Sequence, residues 1–342
     1  MTTYYRLTFI VLILMVLEGC QSKAPRTDLM RYRQTRLAMG TVVSLDICAK
    51  AELKSAIESA YQDAWKKIEE FNGLMNIYER DTEVNYVSRS YLKPVTVSPI
   101  LYTLISKSIA YSRLTAGAFD IVSLPLTWLW DSAQRENRFP PEEKVREVRG
   151  WCGCDKIQLL ENNQVIMTHP EAMLDLGGIA KGFAVDAIAD IFRGCGFRDF
   201  YIDAGGDVFA SGHNCEDKPW RIGIKHPRYK NKVLNIINVS NMAVTTSGDY
   251  ERFFYIEDQR FSHIINPITG YPQKGVVSAT VIAPEAALSD ALSTALCVLP
   301  PAIGLRIVDS LKDPVVALIV EQTPKGKLII HKSQKYDKLF NN

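Results

Sequence analysis

An excess of charge of either sign is what this chain lacks first: 40 Lys and Arg stand against 38 Asp and Glu in 342 residues, a formal net charge of +2. Composition therefore gives no electrostatic reason to expect nucleic acid or a strongly charged surface as partner, and an anionic ligand must be held by a local site. Internal repeats and low-complexity stretches are missing too, and 47% apolar with 23% charged residues is the balance of a folded globular protein, not a disordered one. No Gly-x-Gly-x-x-Gly follows a strand pattern. The glycine pair in "IDAGGDVFASG" stands alone, which argues against a nicotinamide-type dehydrogenase. Cys152-Gly153-Cys154 lacks both the two-residue spacer and the second pair of a thiolate zinc site. Long hydrophobic runs are scarce as well: the nearly all-apolar Leu7–Leu17 is too short to span a bilayer comfortably.

That run does have the order of an export signal, with Arg6 ahead of it and Leu17-Glu18-Gly19-Cys20 behind it. It resembles the lipobox of bacterial lipoproteins. By that resemblance residues 1–19 are a signal peptide, Cys20 becomes an acylated N-terminus, and the protein sits lipid-anchored at the bacterial cell membrane on its periplasmic side. Gln21 leans the sorting towards the outer membrane. The plainer alternative is an ordinary signal peptide with an incidental cysteine. Residues 20–35, polar and basic with one proline, read as the acylated end and tether, and 36–335 as the folded domain. Export would place Cys48, Cys152, Cys154, Cys195, Cys215 and Cys297 in a compartment that permits disulfides, in a connectivity the sequence does not give. They are read as structural.

Periodicity supplies both kinds of element. Val43, Leu45 and Ile47 alternate with Ser44 and Asp46, which predicts a strand over Thr41–Cys48. Ile57, Tyr61, Trp65 and Ile68 recur at helical spacing, with Ala60, Ala64 and Phe71 widening the stripe. Further strands are expected at Phe200–Ala204, Trp220–Lys225, Val276–Ala283, Val315–Val320 and Leu328–His331, and helices at Ile100–Thr115, Gly182–Arg193 and Ala286–Leu299. The charged, proline-containing stretch Asp131–Arg149 reads as an exposed insertion or a short surface helix. No composition break separates two domains. The expected fold is α+β, a single catalytic unit of mixed sheets and helices, with room for two lobes around a cleft.

Four segments carry residues suited to chemistry. "DLGGIAKG", Asp175 to Gly182, leads into the apolar helical pattern of Phe183, Val185, Ile188, Ala189 and Ile191. A helix N-terminus offers unpaired amides and partial positive charge, and glycines let a phosphate approach. Lys181 adds a full charge. A tight turn with a solvated lysine is the plain alternative. In the helix pattern Ala286–Leu299, Asp290 and Thr294 lie four apart on one face, hard oxygen donors of the kind Mg²⁺ accepts beside phosphate. Otherwise the acid bridges to a neighbouring element and the threonine bonds back to its own helix. In "FSHIINPITGYP", His263 at a strand-to-turn junction suits a base near neutral pH, or a histidine that satisfies a carbonyl. "TAGAFDI" and "TTSGDYERFF" are glycine-containing junctions with acids and aromatics, which line a cleft or merely turn the chain.

Together the segments resemble the ApbE family, the FAD:protein FMN transferases. "AMGTVVSLDI", "MNIYERDTEVNYVS", "TAGAFDIVSLPLTWLW", "DLGGIAKGFAVDAIA", "IDAGGDVFASG", "TTSGDYERFF", "SHIINPITGYP" and "SDALSTALCVL" stand in the family's order from about Arg36 to about Leu299. The resemblance implies a cleft that binds FAD as substrate through Met39, Tyr78, Ala118, Phe119, Asp120, Asp175, Lys181 and Ile264, with Tyr78 packing on the flavin or adenine. It implies an Mg²⁺ site from the backbone oxygen of Gly178 and the side chains of Asp290 and Thr294, with Ser293 nearby. His263 is the expected base, and Lys181 the electrostatic support. A Thr or Ser hydroxyl of an acceptor flavoprotein, such as a subunit of a membrane redox complex, would attack the FMN phosphorus of FAD and release AMP. Asn266 departs from the Asp that the family usually carries. Water as acceptor would make the chain an FAD pyrophosphatase, and loss of chemistry would leave a flavin-binding lipoprotein.

Overall fold

The alternation of Val43, Leu45 and Ile47 produces the strand Thr41–Ala49, in which these three side chains are buried. In the computed structural model this strand is second in an eight-stranded sheet, and residues 28–312 and 314–340 are described. Cys20, the apolar run before it and the first half of the tether lie outside the described residues, and Met30–Thr35, expected as tether, belong to the first strand of the sheet. Across the sheet the order is Met30–Ala38, Thr41–Ala49, Phe200–Ala204, Asp207–Ser211, Met242–Gly248, Val276–Ala283, Val316–Gln322 and Leu328–Lys332. Every neighbouring pair is antiparallel.

Period-two alternation divides the core between the two faces of this sheet. Val316, Leu318 and Val320 join Trp220, Ile222 and Ile224 of the hairpin Trp220–Lys225/Val233–Val239 on one face. Ala317 and Ile319 join Leu292 and Leu296 of the helix Ala286–Val298 on the other. The helices Lys54–Met75 and Ala180–Gly194 pack beside it, burying Ile57, Tyr61, Trp65, Val185 and Ile188 against the strands Thr41–Ala49 and Phe200–Ala204. A further apolar cluster gathers the helix Pro99–Leu114, the 118–122 segment and a small sheet of Val95–Thr96, Gln164–Met167 and Ile157–Leu160. Pro99 and the Ser98 hydroxyl, which accepts from the Leu101 amide, start that helix as sequence rules require. The architecture is α+β, as expected.

For Asp131–Arg149 the structure bears out the short surface helix, Glu142–Arg149, and not the exposed insertion. The stretch also holds the end of the helix Leu124–Glu136. Trp130, Ala133 and Val145 bury themselves against Phe254, Ile256 and Phe261 of the hairpin Phe253–Ile256/Gln259–Ser262. The charged residues that suggested exposure occupy only the outer faces of these amphipathic helices. Of the cysteines, Cys48 and Cys215 form a disulfide; Cys152, Cys154 and Cys297 are buried thiols and Cys195 is an exposed one.

Candidate active site

Two helix N-termini meet at the centre of the site, and each is capped by the other's aspartate. Asp290 Oδ2 accepts from the Gly182 amide at 3.1 Å, while Asp186 accepts from the Ala286 and Ala287 amides at 2.7 and 2.8 Å. Both carboxylates thereby satisfy first-turn donors that have no partner within their helix. A Cβ at Gly182 would stand 2.3 Å from the Ala286 carbonyl oxygen, so only glycine permits this approach. Asp290 thus does make the bridge to a neighbouring element that the sequence left open.

Lys181, one residue before Gly182, donates to Asp207 Oδ2 and lies 3.8 Å from Asp290 Oδ2. Both carboxylates are 3% exposed and the lysine side chain 31%. Burial alone would lower the lysine pKa, but the charges of Asp290 and Asp207 overrule it and hold the ammonium above its ordinary range. Burial, and then the Asp290 charge, push the Asp207 carboxyl upwards despite the lysine. Two buried carboxyl groups thus face one ammonium, and their mutual repulsion favours a proton or a cation between them.

Beside this cluster, Ser247 Oγ lies 2.7 Å from Ser293 Oγ and 3.3 Å from Thr294 Oγ1, linking the strand Met242–Gly248 to the helix Ala286–Val298. Ser293 also donates to the Asp290 carbonyl at 2.9 Å. At Gly178 a Cβ would lie 3.3 Å from both Thr294 Oγ1 and Phe119 Cε2, so the bare backbone is what lets this loop close on the threonine. The loop is pinned from behind: the Asp175 amide donates to the Ile121 carbonyl at 2.6 Å, and Asp175 Oδ1 accepts from Gly177 at 2.9 Å. Burial raises the Asp175 pKa, and the hydrogen bonds from Gly177 and Thr127 oppose it.

His263 closes the hairpin Phe253–Ile256/Gln259–Ser262. Its Nδ1 lies 2.7 Å from the Arg252 carbonyl, which can only accept; Nδ1 therefore carries the proton, and in the neutral ring Nε2 keeps its lone pair. Both functions foreseen for this residue, satisfying a carbonyl and serving as a base, are compatible in one tautomer. Its ring is solvent-exposed at one edge, yet the protein crowded around it lowers its pKa; the carbonyl contact opposes this, while the positive charges of Arg252 and Lys181 reinforce it. That influence of Lys181 sets the ring within the same electrostatic neighbourhood.

The other expected residues are dispersed. Met39 occupies the turn between the first two strands and packs against two core clusters. Ala118 and Phe119 are buried, and Ile264 is buried next to His263. Asp120 is engaged by the protein itself, accepting from Val122 and Cys154 amides at 2.7 and 2.8 Å and from Ser112 Oγ at 3.2 Å. It lines a recess of about 460 Å³ with Arg113, Cys154 and Ile268. Tyr78 is 85% exposed, and its ring joins none of the buried clusters. Asp207, Ser247 and Arg252 were not singled out by sequence. Asp207 lies 26 residues from Lys181, and its sole signal was an acid after a glycine pair.

A mixed α+β scaffold that gathers glycine-loop amides, a lysine, paired carboxylates and a tautomer-fixed histidine defines a class of phosphate-handling protein. Within it the chain belongs to the ApbE family, which matches residues 39–319. It is 30% identical over 311 residues to the FAD:protein FMN transferase of Vibrio cholerae, covering 90% of this chain and 91% of the relative. To that of Haemophilus influenzae it is 29% identical, covering 88% and 89%. Among solved structures, the flavin transferase ApbE from Vibrio cholerae superimposes with a TM-score of 0.78 at 27% identity, over 91% of this chain and 99% of that one. The ApbE protein from Thermotoga maritima gives 0.81 at 31% identity, over 92% and 100%.

Proposed function

We propose that the chain is a Mg²⁺-dependent FAD:protein FMN transferase. A Thr or Ser hydroxyl of an acceptor protein attacks the FMN phosphorus of FAD, a phosphoester forms, the pyrophosphate bond breaks, and AMP leaves. The observation that carries this reading is the cluster of Lys181, Asp207 and Asp290 against Thr294 and Gly178. Its mutually repelling acids and hard oxygen donors fit a divalent cation held by the Asp290 carboxylate, the Thr294 hydroxyl and the Gly178 carbonyl, with Ser293 supporting Thr294 through Ser247. Mg²⁺ held by these residues would supply charge neutralisation for the pyrophosphate and for the departing AMP.

The protein's own groups do the rest. Lys181 adds a fixed positive charge beside the phosphates. His263 Nε2 takes the proton of the attacking hydroxyl, since Nδ1–H is committed to Arg252. Asp175 holds the glycine loop, and Met39, Tyr78, Ala118, Phe119, Asp120 and Ile264 form the FAD surround, with Tyr78 free to stack on a ring. Acylation of Cys20 would tether the domain to the bacterial membrane on the periplasmic side. The apolar run of the sequence supports this, as does the Cys48–Cys215 disulfide, a bond of oxidising compartments.

The test is the intact mass of an acceptor bearing an exposed Ser/Thr flavinylation segment, after incubation with the protein, FAD and Mg²⁺. A Mg²⁺-dependent gain of one FMN phosphoryl group is expected. Free FMN and AMP with unmodified acceptor would make water the acceptor and the chain a pyrophosphatase. Intact FAD throughout would leave a binding protein.

A further inference from the structure

Asp207 is a buried acid that the reaction as written does not use. It opens the strand Asp207–Ser211, whose neighbours on both sides are strands of the main sheet, so its backbone is held in place. Among the described residues Lys181 Nζ donates to its carboxylate, and the Asp290 carboxyl stands close enough to push its pKa upwards. The ammonium already forms a looser ion pair with that second carboxylate, at 3.8 Å. A lysine head is a compact charge on a flexible stem, and a displacement of about an ångström would turn that loose pair into a hydrogen-bonded one. Lys181 would then sit on the carboxylate that the preceding section assigns to the cation.

Resting on that reading of the metal site, we propose that Asp207 is a positioning residue: it holds the Lys181 ammonium off Asp290 and so keeps the Asp290 carboxylate open to a divalent cation. The two carboxylates divide the labour. Asp290 is fixed by the Gly182 amide and faces the metal, while Asp207 fixes the lysine at the distance where it adds charge to the phosphates without competing for their counter-ion.

The test is Mn²⁺ binding to the full chain without FAD, read from the paramagnetic resonance of free Mn²⁺. It is carried out on the wild type, Asp207→Asn, Lys181→Met and the double variant. If the released ammonium occupies Asp290 nine-tenths of the time, Asp207→Asn weakens Mn²⁺ binding about tenfold. The double-variant comparison separates positioning from direct ligation. Positioning through Lys181 predicts that the loss vanishes once Lys181 is methionine. An equal loss with and without Lys181 would make Asp207 a metal ligand and overturn the inference, as would unchanged affinity in Asp207→Asn. Should Asp207→Asn not accumulate as folded protein, Asp207→Ser supplies the same comparison. Absence of Mn²⁺ binding to the wild type would refute the metal reading itself, and this inference with it.

Discussion

At His263 the decisive atom is the one that does not react. Because the Arg252 carbonyl accepts a hydrogen bond from Nδ1–H, the base function falls to Nε2. Crowding by the surrounding protein then lowers the pKa, and the neighbouring cations add to that effect. A base with a lowered pKa stays neutral to a lower pH and loses its function only as pH falls through that value. The acid limb of kcat/KM for transfer should therefore lie below the ordinary imidazole value of about 6.5. His263→Ala should abolish that limb and slow transfer by roughly 10²–10⁴-fold while FAD binding persists. A limb at or above the ordinary value, or one retained in the alanine variant, would remove His263 from this role. Residue chemistry was partly legible in advance. Lys181, Asp290 and His263 stand in motifs, but of the partners that define their state Asp207 arrives from a strand of the main sheet, and the Arg252 carbonyl meets His263 only once the intervening hairpin closes. Asn266 shows the converse. Its Oδ1 accepts from the Ile268 and Thr269 amides at 2.8 and 3.2 Å, a task any side-chain oxygen performs, so the departure from Asp leaves the turn intact.

Between elements, the reciprocal capping of Ala180–Gly194 and Ala286–Val298 converts two helix starts into one unit. Gly182→Ala tests it. With backbone carbonyl 2.3 Å from the new Cβ, neither a rotamer change nor a flexible side chain relieves the contact, and the helices must separate. A loss of about 1–3 kcal/mol in denaturant unfolding is expected from such overpacking, together with weakened cation binding as Asp290 leaves the Gly182 amide. Stability and cation affinity equal to wild type would refute the capped-pair description. Spacing alone revealed that Asp290 and Thr294 share a face. It did not reveal what that face meets, because the Gly182 contact lies 108 residues away. The same blindness affected Asp131–Arg149: its charges were plain, whereas Val145 became informative only once the opposing hairpin was known, and Val148 only with Leu126 and Cys152 beside it.

For the whole molecule, α+β character followed from the coexistence of two periodicities. Strand order did not, since the sheet neighbours Thr41–Ala49 and Phe200–Ala204 are separated by most of the helices. Nor did cysteine pairing: Cys48 and Cys215 lie 167 residues apart, and only the crossing of strands brings them together. Closing so long a loop restricts the unfolded chain, and reduction should cost roughly 2–5 kcal/mol of stability, measurable by unfolding with and without reductant.

The same bond makes a covalent ring that contains Lys181 and the exposed Asn137–Arg138 link between two helices. A protease that cuts this link severs the chain without dividing the molecule. Under non-reducing electrophoresis the nicked protein should migrate as one species, and with reductant as two fragments. On the proposed export of the chain, the bond would thereby keep both fragments together after a single cut by a protease outside the cytoplasm.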